Sequence, residues 1–112
     1  MSRKASGFRA WVIQRMSAMY LALGFIYLLV YFVVAPPADY AAWKAWLSGP
    51  LVNIGLALFF LSLLIHAWIG VRDVVIDYVH PFAIRLSVLT LVAVLLLGCG
   101  FWLLRSLVVV VI

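Results

Sequence analysis

The sequence predicts an all-α membrane protein, a single domain over residues 1–112 built on three transmembrane helices. Three observations predict it. Of the 112 residues, 70% are hydrophobic and 10% charged, with a mean hydropathy of +1.30. A soluble domain of this size cannot hide so much apolar surface, whereas lipid can cover it. The apolar residues also gather into three segments, at about 16–35, 51–71 and 86–106, each near the roughly 20 residues that a helix needs to cross the hydrocarbon core. Finally, no charged residue falls in the middle of any segment, which also argues against the charged pathway of a transporter.

The elements follow in order. Arg3, Lys4, Arg9 and Arg15 precede or open the first segment. The formal charge of +5 is therefore read as an orientation signal and not as a nucleic-acid patch. The apolar part is too long for a signal-peptide core and the chain starts at Met1, so a retained span is expected. Pro36-Pro37 ends this segment by removing backbone donors. Asp39 is placed to cap a short helix in which Trp43 and Trp46 share a face, as an interfacial helix requires. Gly49-Pro50 restarts the chain for the second span, and Arg72 to Arg85, with Pro81 as a breaker, is read as the second connection. Lys44 is the sole cation of the first loop, whereas the second carries Arg72 and Arg85. The N-terminus and second loop are thus expected in the cytoplasm, the C-terminus in the periplasm. Arg105 can snorkel from the far end of the third span. The apolar tail Leu107 to Ile112 is expected to continue the helix against a partner. Cys99, the single cysteine, excludes an internal disulfide and reads as a small residue within a helix.

His66 is the one ionisable side chain within Leu51 to Val71. Lipid solvates imidazole poorly, so the ring should face protein, water or a cofactor. Gly55, Ser62, His66, Gly70 and Asp73 follow one another at spacings of seven, four, four and three, which keeps them on one stripe of the helix. Small residues in such a stripe admit a second helix or a flat cofactor. Two readings of His66 stand side by side: a ring that only bonds a neighbouring helix, and a ligand of haem iron. A bis-histidine haem needs a second imidazole. The other histidine, His80, lies beside Pro81 as a loop residue, so a partner chain would supply that ligand or there is no haem.

Asp77 and Tyr78 lie beyond the span, with Tyr78 about 18 Å along a continuous helix from His66. A tyrosine hydroxyl beside a carboxylate can donate to a carbonyl such as that of a quinone; a solvated interfacial pair is the plainer alternative. Arg15, in Gln14-Arg15-Met16-Ser17, is either an orientation charge or an anion or carbonyl contact. No catalytic triad, phosphate loop or zinc site is recognisable.

His66-Ala67-Trp68-Ile69-Gly70 followed by Asp77-Tyr78 resembles the H-x3-G-x6-D-Y pattern of the small hydrophobic membrane anchor, cytochrome b type, of succinate dehydrogenase (respiratory complex II). The three spans, the basic flank, the Arg then Ser at the first span and Arg85-Leu86 at the third extend the resemblance over nearly the whole chain. The resemblance implies a hetero-oligomeric helical bundle with a second membrane anchor, the pair holding an iron–sulfur subunit and a flavoprotein at the bacterial inner membrane. It implies a haem b shared between the anchors, with His66 as one axial ligand, and electron delivery from succinate to ubiquinone. Tyr78 would then hydrogen-bond the quinone, Asp77 would support its pocket, and Arg15 would lie near the haem propionates or that pocket. Asp73 departs from the pattern, which usually has Gln there, and this puts the local polar network in question. The alternative function is a haem-free structural anchor or assembly subunit.

Overall fold

The computed structural model describes the backbone of residues 3–112 and the side chains of residues 7–112. Met1, read as the start of a retained span, and the side chains of Arg3 and Lys4, counted toward the positive flank, lie outside the described residues. Four helices are described, α1 (Arg3–Val34), α2 (Tyr40–Ser48), α3 (Pro50–Tyr78) and α4 (Phe82–Val111). Three of them, over Gly7–Val34, Pro50–Tyr78 and Phe82–Val111, are long and apolar enough to cross a membrane.

Each boundary has a local cause. No proline precedes Pro36, so α1 runs unbroken and begins well before the apolar stretch expected from Met16. Its last bond is Ala35 N–H to the Tyr31 carbonyl, 2.7 Å. Asp39 caps α2 as expected, Oδ1 accepting from Ala42 N–H at 2.8 Å. The indole face of α2 docks on the end of α1: Trp46 stacks on Tyr31 with centroids 4.8 Å apart, and Trp43 meets Phe32 at 5.7 Å. Gly49 alone separates α2 from α3, whose first turn holds Pro50, where a missing N–H costs nothing.

The connection expected over Arg72 to Arg85 shrinks to Val79–Pro81. The polar residues that suggested a loop are helical because Arg85 closes the end of α3. Its Nε donates to the Val79 carbonyl at 2.9 Å and its Nη2 to the Ile76 carbonyl at 3.1 Å, satisfying acceptors that the helix leaves open. The apolar tail also stays helical, to Val111. Only its first residue is buried within the chain: Leu107 is buried while Val108, Val109, Val111 and Ile112 are exposed, and the Leu107 carbonyl accepts from Asn53 Nδ2 at 3.0 Å.

α1 and α4 both pack along α3 and, among the described residues, do not meet each other. α2 closes one end against α3 and α4. The alternating chain direction brings Arg9, Arg15, Arg72 and Arg85 to the opposite end, while Lys44 and Arg105 fall near the α2 end. Two glycines set the seams. A Cβ on Gly24 would stand 2.6 Å from Phe59 Cδ2, and one on Gly100 2.9 Å from Leu64 Cδ1. Such close approach drives helix association where lipid removes any hydrophobic preference for protein. The buried apolar residues are few, namely Leu56, Ile69, Val75 and Leu107, so most of the outer surface is left for lipid or other chains.

Candidate functional site

The His66 stripe of α3 meets α1, and the partner face of α1 carries Gln14, Ser17, Tyr20 and Gly24, spaced three, three and four apart. Polar groups of α1 thus reach the stripe at His66 and at the Gly55 carbonyl, while Gly24 meets Phe59. Ser17 is 8% exposed, the one buried polar residue among those described. Its Oγ lies 3.1 Å from His66 Nδ1 and 3.0 Å from the Gln14 carbonyl. Toward the α2 end, Tyr20 donates from its hydroxyl to the Gly55 carbonyl at 2.9 Å. One turn beyond His66 toward the arginine-bearing end, Gln14 lies beside Gly70, where a Cβ would stand 3.6 Å from its Nε2. Gln14 Oε1 is buried without a hydrogen-bond partner.

His66 itself is half-buried. Its hydrogen bonding among the described residues runs through Nδ1 alone, and Nε2 is left open. Single imidazoles bind iron through one ring nitrogen while the other is held by an outer partner. The residues present fit that arrangement, with Ser17 as the outer partner. No group of three or more metal-ligating side chains occurs among the described residues, a condition that a haem ligand does not require.

Below this level, between α1 and α3, is a hollow of about 420 Å³ whose lining includes Trp11, Gln14, Arg15, Ile69, Arg72 and Asp73. Arg15 is exposed and its guanidinium sits over the Trp11 ring, 5.6 Å from the centroid. Asp73 pairs with its neighbour Arg72 at 3.2 Å, an exposed contact of small energetic weight. The hollow therefore gathers Arg15 with the anomalous Asp73, but not Asp77 or Tyr78. Those two occupy the last turn of α3, both exposed, Tyr78 at 78%. At 3.6 residues per turn, Asp77 falls about 20° from His66 around the helix and Tyr78 about 120°. His80 is exposed beside Pro81, outside every helix. On the α4 side of α3 runs a wholly different opening, an apolar groove of about 750 Å³ between Leu61, Trp68, Leu97 and Phe101.

Sequence reasoning passed over Ser17 as a neighbour of Arg15 and did not single out Tyr20 or Asn53. The signal was present in α1. Gln14, Ser17 and Tyr20 recur at helical spacing at the start of an apolar span, and polar side chains there call for partners, which Ser17 finds in His66 and Tyr20 in the Gly55 carbonyl. Asn53 carried the same kind of signal, an amide inside an apolar run. It donates to the Leu47 carbonyl at 3.0 Å as well as to Leu107.

The family model described as "Succinate dehydrogenase/Fumarate reductase transmembrane subunit" matches residues 1–105. A curated relative from Coxiella burnetii, "Succinate dehydrogenase hydrophobic membrane anchor subunit", is 35% identical over 96 residues, spanning 86% of this chain and 84% of that protein.

Proposed function

The chain belongs to the succinate dehydrogenase/fumarate reductase transmembrane subunits, and from that premise we propose that this membrane anchor shares a haem b with a second anchor and helps to form a ubiquinone site. The observation that carries the reading is the His66 ring, held through Nδ1 with Nε2 open. His66 Nε2 would hold the haem iron together with an imidazole of the second anchor. Bound there, the haem supplies a one-electron redox centre inside the bundle.

The chain's own residues perform the remaining tasks. Ser17, 3.1 Å from Nδ1, fixes the direction of the imidazole from α1. Arg15, splayed over Trp11, offers a planar fork to a carboxylate, as a haem propionate or an anion at the quinone pocket would require. Tyr78 donates its hydroxyl to a quinone carbonyl, and Asp77 orients the pocket from the adjacent position. Both are exposed at the end of α3, so the walls of that pocket come from other subunits. The arginine-rich end faces the cytoplasm of a bacterial inner membrane, where an iron–sulfur subunit and a flavoprotein dock.

A haem-free anchor would also form the Ser17–His66 bond; the two readings part at Nε2. The deciding experiment is the reduced-minus-oxidised spectrum of the gently purified complex, native and His66→Ala. The expected result is a low-spin bis-imidazole spectrum that the substitution abolishes or perturbs. A spectrum untouched by His66→Ala refutes the ligand, and native complex without a Soret band favours the structural anchor.

A further inference from the structure

Ser17 is the buried polar side chain of the seam, and two acceptor or donor atoms compete for its hydroxyl. A serine hydroxyl has one proton to give and two lone pairs. It lies 3.0 Å from the Gln14 carbonyl and 3.1 Å from His66 Nδ1. If the proton goes to Gln14, the oxygen lone pairs face the ring and accept from Nδ1–H. Both donors are then used. If the proton goes to Nδ1, the neutral ring carries its own proton on Nε2, where no acceptor stands among the described residues. Nε2 is not enclosed by the chain, so within the apolar α3 span an Nε2–H would face lipid or a partner unpaired, which is the costlier outcome. Donor accounting therefore selects the first arrangement.

We propose that Ser17 is the positioning residue of this histidine: by accepting the Nδ1 proton it selects the ring tautomer, fixes the ring plane across the α1–α3 seam, and tunes the iron bound at Nε2. The inference rests on the haem reading above. Its physical content is that a hydrogen bond from Nδ1–H enriches the ring in electron density and makes Nε2 the stronger donor. A stronger donor favours ferric over ferrous iron, which lowers the midpoint potential. The bond joins residues 49 positions apart in the chain, so it also ties haem geometry to the packing of α1.

The test uses the assembled complex carrying Ser17→Ala, Ser17→Cys or Ser17→Thr, with potentiometric titration of the haem and its low-spin electron paramagnetic resonance signal as readouts. Alanine removes the acceptor, and cysteine keeps the size but is a weak one. Both are expected to raise the midpoint potential, a tenfold loss of ferric preference reading as about 59 mV. Threonine keeps the oxygen and should hold the native value. Loss of haem in the alanine and cysteine complexes with retention in the threonine complex supports the same role. An unmoved potential and signal in a haem-loaded Ser17→Ala complex overturns it, as does a threonine variant that shifts as far as alanine. The haem reading fails separately, through a spectrum indifferent to His66→Ala.

Discussion

Gly24 lies against the ring of Phe59, so close that a Cβ at that position would be 2.6 Å from Cδ2 and 2.9 Å from Cε2 of the ring. The ring is flanked by Phe60 in an edge-on contact, centroids 5.6 Å apart, which limits its retreat. Gly24→Ala should therefore spread α1 from α3 and destabilise the assembled complex by about 1–3 kcal/mol, the usual cost of overpacking. Thermal dissociation followed by size-exclusion chromatography reads this out. Gly98→Ala is the control, since a Cβ there meets nothing within 4 Å. Equal losses in the two variants would contradict the seam.

Asn53 joins three helices at the α2 end through one amide, with Nδ2 donating to Leu47 and to Leu107, each at 3.0 Å. Asn53→Leu removes both donors and leaves two carbonyls short of a partner, a change of about 1–3 kcal/mol. The expected signature is faster hydrogen exchange over α2 and the end of α4, with the spectrum of the proposed haem unaltered because His66 lies more than three turns along α3. Unchanged protection of α2 would show that the aromatic contacts of Trp43 and Trp46 hold it unaided.

The three spans, the Asp39 cap and the shared face of Trp43 and Trp46 were legible in the sequence because hydropathy, capping and helical spacing are all local quantities. That His66 needs a protein partner was legible because imidazole is poorly solvated in lipid, and it meets Ser17. What Ser17 and Asn53 do was not, since both act on atoms far along the chain and neither residue type is rare. The length of α3 was misjudged for a related reason. Arg72, Asp73 and Asp77 look like loop residues until Arg85, from the next helix, is seen to close the open carbonyls. The quinone-side expectation for Tyr78 concerns surfaces outside this chain, and its side chain is exposed at the end of α3.

Arg85 holds the turn from which Asp77 and Tyr78 project. Arg85→Ala frees the carbonyls of Ile76 and Val79 and should fray that turn; on the proposed quinone role of Tyr78, quinone reduction should slow severalfold while succinate oxidation by an artificial dye acceptor is preserved. Arg85→Lys should restore part of the rate, since an ammonium can reach one carbonyl but cannot fork between two. If dye reduction falls in step with quinone reduction, the defect lies in assembly and not in the turn.

Tyr78 offers the cleanest separation of binding from packing. Its side chain is 78% exposed, so Tyr78→Phe takes one hydroxyl from the surface and leaves the helix seams as they are. If that hydroxyl donates to a quinone carbonyl, its hydrogen bond strengthens as the oxygen gains negative charge on reduction. Loss of about 1.4 kcal/mol at that step corresponds to about a tenfold fall in rate. Quinone reduction should drop by about that factor, with dye-linked succinate oxidation, haem content and thermal stability all native. A Tyr78→Phe complex that reduces quinone at the native rate would remove the hydroxyl from the site and leave Asp77, nearly in line with His66 on α3, as the residue to test next.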